Sequence, residues 1–274
     1  LTLDRVRIER PVASGPGGGV LFVGSGPVVM RDVVVRDAHA TLNAGILVVS
    51  AAAGETVTLD RVSILDSRTP GVNAGLAINL TDGVVALRHV RVTGNVGGGP
   101  AAGATVFGRK VTVSDSEFSD NRGGPSTGLA VFGTPGAVPA TIERTTVARN
   151  RTSSGSPNAG ILLSPATLPA ILRNVTVVGN AVAGAAGAEA GITSAGPLTL
   201  RNVTVAGNTA SRFAGVHVLP TGALDVANSI LGDSCTLEGP HASKGGNIDR
   251  GVGCALTRPT DRSLTDPLLG PLGA

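Results

Sequence analysis

The chain has 274 residues, 22 basic and 19 acidic side chains giving a net charge of +3, and 42% hydrophobic residues with a mean hydropathy of +0.28. That is too apolar for a disordered chain. The absence of any lysine or arginine run, with five Phe and no Tyr or Trp, argues against a nucleic-acid module, and no apolar stretch is long enough for a transmembrane helix.

The first element begins at Leu3 and sets a phrase that the rest of the chain repeats: an apolar anchor, two polar or charged residues, then apolar, polar, apolar. Copies follow from Met30, Leu59, Leu87, Val113, Ile142, Leu172, Leu200 and Val226, at gaps of 26 to 30 residues. A period of this length marks a solenoid whose repeats bury their apolar faces only against one another. Two further marks keep the register. Asn95, Asn121, Asn150, Asn180 and Asn208 each lie eight residues past their own anchor, where the first three copies have Pro11, Ala38 and Ser67. A glycine opens a short apolar run in each of the first eight copies, at Gly19, Gly45, Gly75, Gly103, Gly128, Gly160, Gly191 and Gly215.

The anchors are rich in Val, Ile, Leu and Thr, which favours strands, and forty Gly with seventeen Pro suit many tight turns. In Leu200-Arg201-Asn202-Val203-Thr204-Val205 the first, fourth and sixth residues point inward around a bend, giving two short strands; the glycine-led run supplies another. The prediction is an all-β parallel β-helix of about nine rungs in one continuous domain, with rungs over 1–234 and a last rung plus capping segment over 235–274. Rungs stacked at about 4.8 Å give a rod of roughly 40 Å. The asparagines then form a structural ladder. At the two positions after each anchor, Asp4, Arg31, Asp60 and Arg88 run beside Arg5, Asp32, Arg61 and His89, so opposite charges alternate between rungs as cross-rung ion pairs.

Cys235 and Cys254 are the only cysteines and follow the last regular copy. They predict a disulfide and an exported protein, with two unpaired thiols as the alternative; metal-ligand spacing is lacking. No signal peptide precedes Leu1, which opens inside a repeat. The expectation is a trimmed product whose first rung is covered either by a removed segment or by a second copy stacking head to tail into filaments.

Phe118-Ser119-Asp120-Asn121 and the glycine-led runs resemble the repeats of bacterial polymorphic outer membrane proteins. The tail is more specific: Asn228-Ser229-Ile230-Leu231, Cys235, Gly245-Gly246-Asn247-Ile248, Cys254 and Asp266-Pro267-Leu268-Leu269-Gly270-Pro271-Leu272 resemble the end of bacterial choice-of-anchor Q domain proteins. Together these cover nearly the whole chain. The resemblance implies a right-handed, pectate-lyase-like β-helix, exported and often tethered to the cell surface, without a firmly assigned activity.

Polysaccharide lyases and hydrolases share this architecture and need clustered carboxylates, with calcium and a base or as an acid pair. The weak catalytic candidates are Asp115, Glu117 and Asp120, with Asp82 beyond them. Asp115 and Glu117 fit outward strand positions equally well. His39, His89, His217 and His241 fall at different repeat positions and read as surface residues. The Asn-x-Thr sequons at Asn79, Asn150, Asn174 and Asn202 read as chance. Thr146, Thr176 and Thr204 share a column, too short for an ice-binding array. No cofactor and no metal are expected. The favoured function is a non-enzymatic exported surface or matrix element, such as a stalk or adhesin, with a cell-surface or glycan partner; a polysaccharide lyase or hydrolase is the alternative.

Overall fold

A computed structural model describes residues 1–15, 17–99, 102–152, 158–165, 168–183, 188–270 and 272. Parts of the loops after Asn150 and Asn180, together with Pro271, Gly273 and Ala274 of the tail, lie outside the described residues. Among the described residues there is no helix, and every strand pairing is parallel. The chain coils as a β-solenoid, and one turn shows its four faces. Ala104–Gly108 is the glycine-led strand, Lys110–Ser114 the anchor strand, Glu117–Ser119 follows the bend, and Arg122–Gly123 is a short strand after the ladder asparagine.

The anchors are in register throughout. Leu3 pairs with Met30, Met30 with Leu59, and so on through Leu200 with Val226, so the nine copies are nine levels separated by eight full turns. A shorter tenth level follows, in which Cys235–Leu237, His241–Gly245 and Ile248–Asp249 pair onto the ninth. Period-two alternation drives this stacking: Val111, Val113 and Phe118 are fully buried while Thr112 and Glu117 face outward. The bend falls two residues after every anchor, from Arg5 to Asn228, always at a positive φ between 46° and 55°. A second corner of the same kind precedes the ladder, as at Asp120 (φ 57°) and Arg149 (φ 56°).

The glycine column has a steric cause. A Cβ on Gly160 would overlap the carbonyl oxygen of Gly191, and the same overlap recurs from Gly19 up to Gly215, whose Cβ would meet Ser234. Adjacent rungs approach so closely here that backbone fills the space of a side chain.

Cys235 and Cys254 form a disulfide with Cα atoms 4.8 Å apart, and both are buried. The bond holds the 250–254 turn over the end of the core, where Asp249 accepts from the backbone N–H groups of Gly251 and Cys254 at 2.9 and 3.2 Å. Closing a 19-residue separation is worth about 3 kcal/mol in the chain-entropy model. Reductant is therefore expected to lower the melting temperature by several degrees in calorimetry, and an unchanged transition with both thiols titratable would refute a stabilising role.

Candidate functional site

The ladder is the most ordered polar feature. Asn150, with no solvent exposure, accepts at Oδ1 from the backbone N–H and the Nδ2 of Asn121, at 3.1 and 3.0 Å. Its own Nδ2 donates to the carbonyl of Phe118 at 2.9 Å and to Asn180 Oδ1 at 3.0 Å. Asn121 and Asn180 repeat the pattern, Asn95 accepts only the backbone N–H of Ser67, and Asn208 donates to Asp233. The amide is required because each member must accept from one neighbouring rung and donate to the other.

The sequence reading missed how the ladder ends. Asp233 stands after Asn208 and accepts from Gly207 N–H at 2.9 Å, Asn208 N–H at 3.0 Å and Asn208 Nδ2 at 2.8 Å. A carboxylate only accepts, so it can terminate the column but not continue it. Burial pushes the Asp233 carboxyl above its ordinary value, against the hydrogen bonds from Asn208 and Gly207. A second end is built similarly: Asn247 accepts from Ser229 N–H at 3.0 Å and donates to Asp261 at 2.9 Å.

The three candidate carboxylates are all engaged by arginines, and Arg149 interacts with both Asp120 and Glu117. Asp115 and Asp120 occupy the two corners at opposite ends of Glu117–Ser119, and only Glu117 lies in a strand, which corrects the strand placement expected for Asp115. Each faces an arginine of a neighbouring rung. Arg144 grips Asp115 through Nε and Nη2 at 2.6 and 2.9 Å. Arg149 grips Asp120 at 2.9 and 2.8 Å, and Arg91 lies 3.2 Å from Glu117, which also accepts from Ser119 Oγ at 2.6 Å. The hydrogen bond from Arg144 holds the Asp115 carboxyl at about 2, a poor match for a base working near neutrality. Asp82 faces Arg109 at 2.8 Å. The alternating charges pair across rungs only in part: Arg61 joins Asp32 at 2.6 Å and His89 meets Asp60 at 3.2 Å, while Arg5 pairs with Asp4 of its own rung and, among the described residues, no ion pair reaches Arg31 or Arg88.

His217 departs from the surface placement read for it. It is 4% exposed, stacked on Phe213 with ring centroids 3.7 Å apart, and its Nδ1 is 3.0 Å from Glu189. Phe213 sits two residues before Gly215. His39, His89 and His241 are exposed. The threonine column is not a free flat surface either, because Thr176 and Thr204 line a hollow of about 730 Å³ beneath residues 266–270.

On the glycine-led face an apolar groove of about 620 Å³ runs between Leu47, Ala77 and Leu162 and the stacked rings of Phe107 and Phe132, 4.5 Å apart. Among the described residues no carboxylate or histidine lines it. Among the described residues no three His, Cys, Asp or Glu side chains are placed to hold a metal ion. Comparison with family models, curated proteins and solved structures finds no match.

Proposed function

We propose that this chain is a non-enzymatic, exported structural rod of a bacterial surface or matrix. The observation that carries the reading is the use of the candidate acids: Asp115, Glu117 and Asp120 each serve an ion pair between rungs. A glycosidase acid pair must face one bond across a shared cleft, and a lyase needs a free base beside a bound uronate. The disulfide is compatible with export, and no helix among the described residues is long and apolar enough to cross a membrane.

Incubation with pectin, alginate and glycosaminoglycans, read by size-exclusion chromatography and by new reducing or unsaturated ends, is expected to leave every polymer intact. Cleavage that disappears in Asp115→Asn or Glu117→Gln would overturn the reading in favour of a lyase or hydrolase.

A further inference from the structure

The outward positions of the glycine-led strands form one column across five rungs, in which Leu47 pairs with Ala77, Ala77 with Thr105, Thr105 with Ala130 and Ala130 with Leu162. Their inward neighbours, such as Ile46, Leu76 and Ile161, are buried in the core. Parallel pairing fixes the backbone spacing, so side-chain size sets the height of the wall here. Three small residues stand between two leucines, and the surface dips between them. With rungs about 4.8 Å apart, the leucines lie roughly 19 Å from each other along the rod. This dip is the apolar groove of about 620 Å³.

One side of the groove is built by Phe107 and Phe132, each two residues further along its strand, whose rings stack at 4.5 Å with 11° between their planes. The other side carries Leu42 and Val72 from the turns before the glycines, 45% and 48% exposed. Single exposed apolar residues are ordinary, but these converge with the ring pair on one concavity. Among the described residues no charged side chain lines it. Two of its polar atoms lack a hydrogen-bond partner, Thr105 Oγ1 on the floor and Asn73 Oδ1 on a residue only 1% exposed. Because Thr105 Oγ1 has no bond to lose, rotation about χ1 turns it to a ligand without breaking anything.

We propose that this groove binds an uncharged, flat, ring-bearing small molecule with a hydroxyl group, a phenol in chemical class, packed against the Phe107–Phe132 pair with its hydroxyl on Thr105. The volume is that of a small-molecule site, and the lining has the composition of one, apolar with a few polar groups. A charged ligand would be buried without a counter-charge, which selects a neutral one. The phenyl pair favours a flat ring over a flexible chain. A saccharide carries many hydroxyls, and the groove has too few polar groups to satisfy them. The leucines at the two ends bound the length, so a polymer would have to climb over them. A second copy fits poorly as well, because a symmetric contact sets the dip against itself.

The inference goes beyond the structural-rod reading and is tested separately: cleavage of a polymer defeats that reading, and absence of binding defeats this one. The full chain is titrated with naphthol, followed by the probe's fluorescence, with naphthoate as the charged analogue, naphthalene as the analogue without a hydroxyl and cellobiose as a polar molecule of similar length. Saturable binding of naphthol is expected, with naphthoate at least about tenfold weaker and cellobiose not bound. Ala77→Leu should abolish binding by filling the dip, and the wall accepts it because Leu47 holds the same place one rung earlier. Phe107→Leu removes one ring of the wall and should weaken binding about tenfold, an independent variant should Ala77→Leu fail to fold. Thr105→Val should weaken naphthol about threefold or more and leave naphthalene unchanged. Thr141→Leu, on the anchor strand Ala140–Glu143, should bind as the parent. Urea midpoints verify that the variants fold. No saturable binding of naphthol, unchanged binding in folded Ala77→Leu, Phe107→Leu or Thr105→Val, preference for naphthoate or cellobiose, or a dimer in sedimentation that Ala77→Leu dissolves would overturn the proposal.

Discussion

Gly160→Ala is expected to cost roughly 3–5 kcal/mol, a large part of the stability of an ordinary domain. The new methyl group would occupy the site of the Gly191 carbonyl oxygen, with the Ala190 carbonyl also in the way. These are backbone atoms and cannot rotate aside. Gly160 is held on both sides, its carbonyl accepting from Leu129 N–H at 2.9 Å and the Gly191 carbonyl accepting from Ile161 N–H at 2.8 Å. Separating the rungs to admit the methyl group stretches both bonds and loosens the packing around Ile161 and Leu129, each essentially inaccessible to solvent. Gly207→Ala is the matched comparison. Gly207 has φ +65° and open space where its Cβ would lie, so only backbone strain of about 1–2 kcal/mol applies. Urea denaturation of the two variants should separate them clearly; equal midpoints would show that the rungs at Gly160 can part cheaply.

Asn150→Ala is expected to be of similar size, about 3–5 kcal/mol. It removes the acceptor for two N–H groups of Asn121 and the amide donor to Phe118 O and Asn180 Oδ1, all at a position closed to water. Asn180 Oδ1 keeps the backbone N–H of residue 150 at 3.0 Å, so the lower rung loses less than the upper. Asn150→Asp should be worse at pH 7, because an ionised carboxyl in the middle of the column cannot donate and is buried without a cation. Burial would raise its pKa, so acid should restore part of the loss as a protonated carboxyl regains one donor. A variant at Asn150 that melts like the parent would show that the ladder is redundant with the strand pairing. Because each rung rests on its neighbours, the damage should spread outward from the sixth copy, and hydrogen exchange would register it first at the backbone N–H of Asn121.

The sequence by itself determined the parallel solenoid, the register of its anchors, the role of the asparagine column and the position of the glycine column, whose steric cause only the stacked backbone shows. Each rung places the same residue in the same environment, so the requirement recurs at a readable period: a two-sided amide at Asn150, no side chain at Gly160, an apolar side chain at Leu172. The cross-rung ion pairs were legible only in part from alternating signs: Arg61 reaches Asp32 and His89 reaches Asp60, but Arg5 turns to Asp4 of its own rung. What broke the period was not legible. Asp233 ends the ladder one place short of the asparagine position, seven residues past Val226 instead of eight. Phe213 buries His217 through a contact made in a loop, and loop conformation follows no repeat. The column that runs from His39 through Arg68, Val96 and Arg122 to Arg151 is a property that only the tertiary structure decided. His39, Arg68, Arg122 and Arg151 lie in strands two residues long, too short to show alternation, and are far apart along the chain. Stacking parallel rungs at a fixed spacing turns isolated residues into a line, and that line exists only once the rungs are stacked.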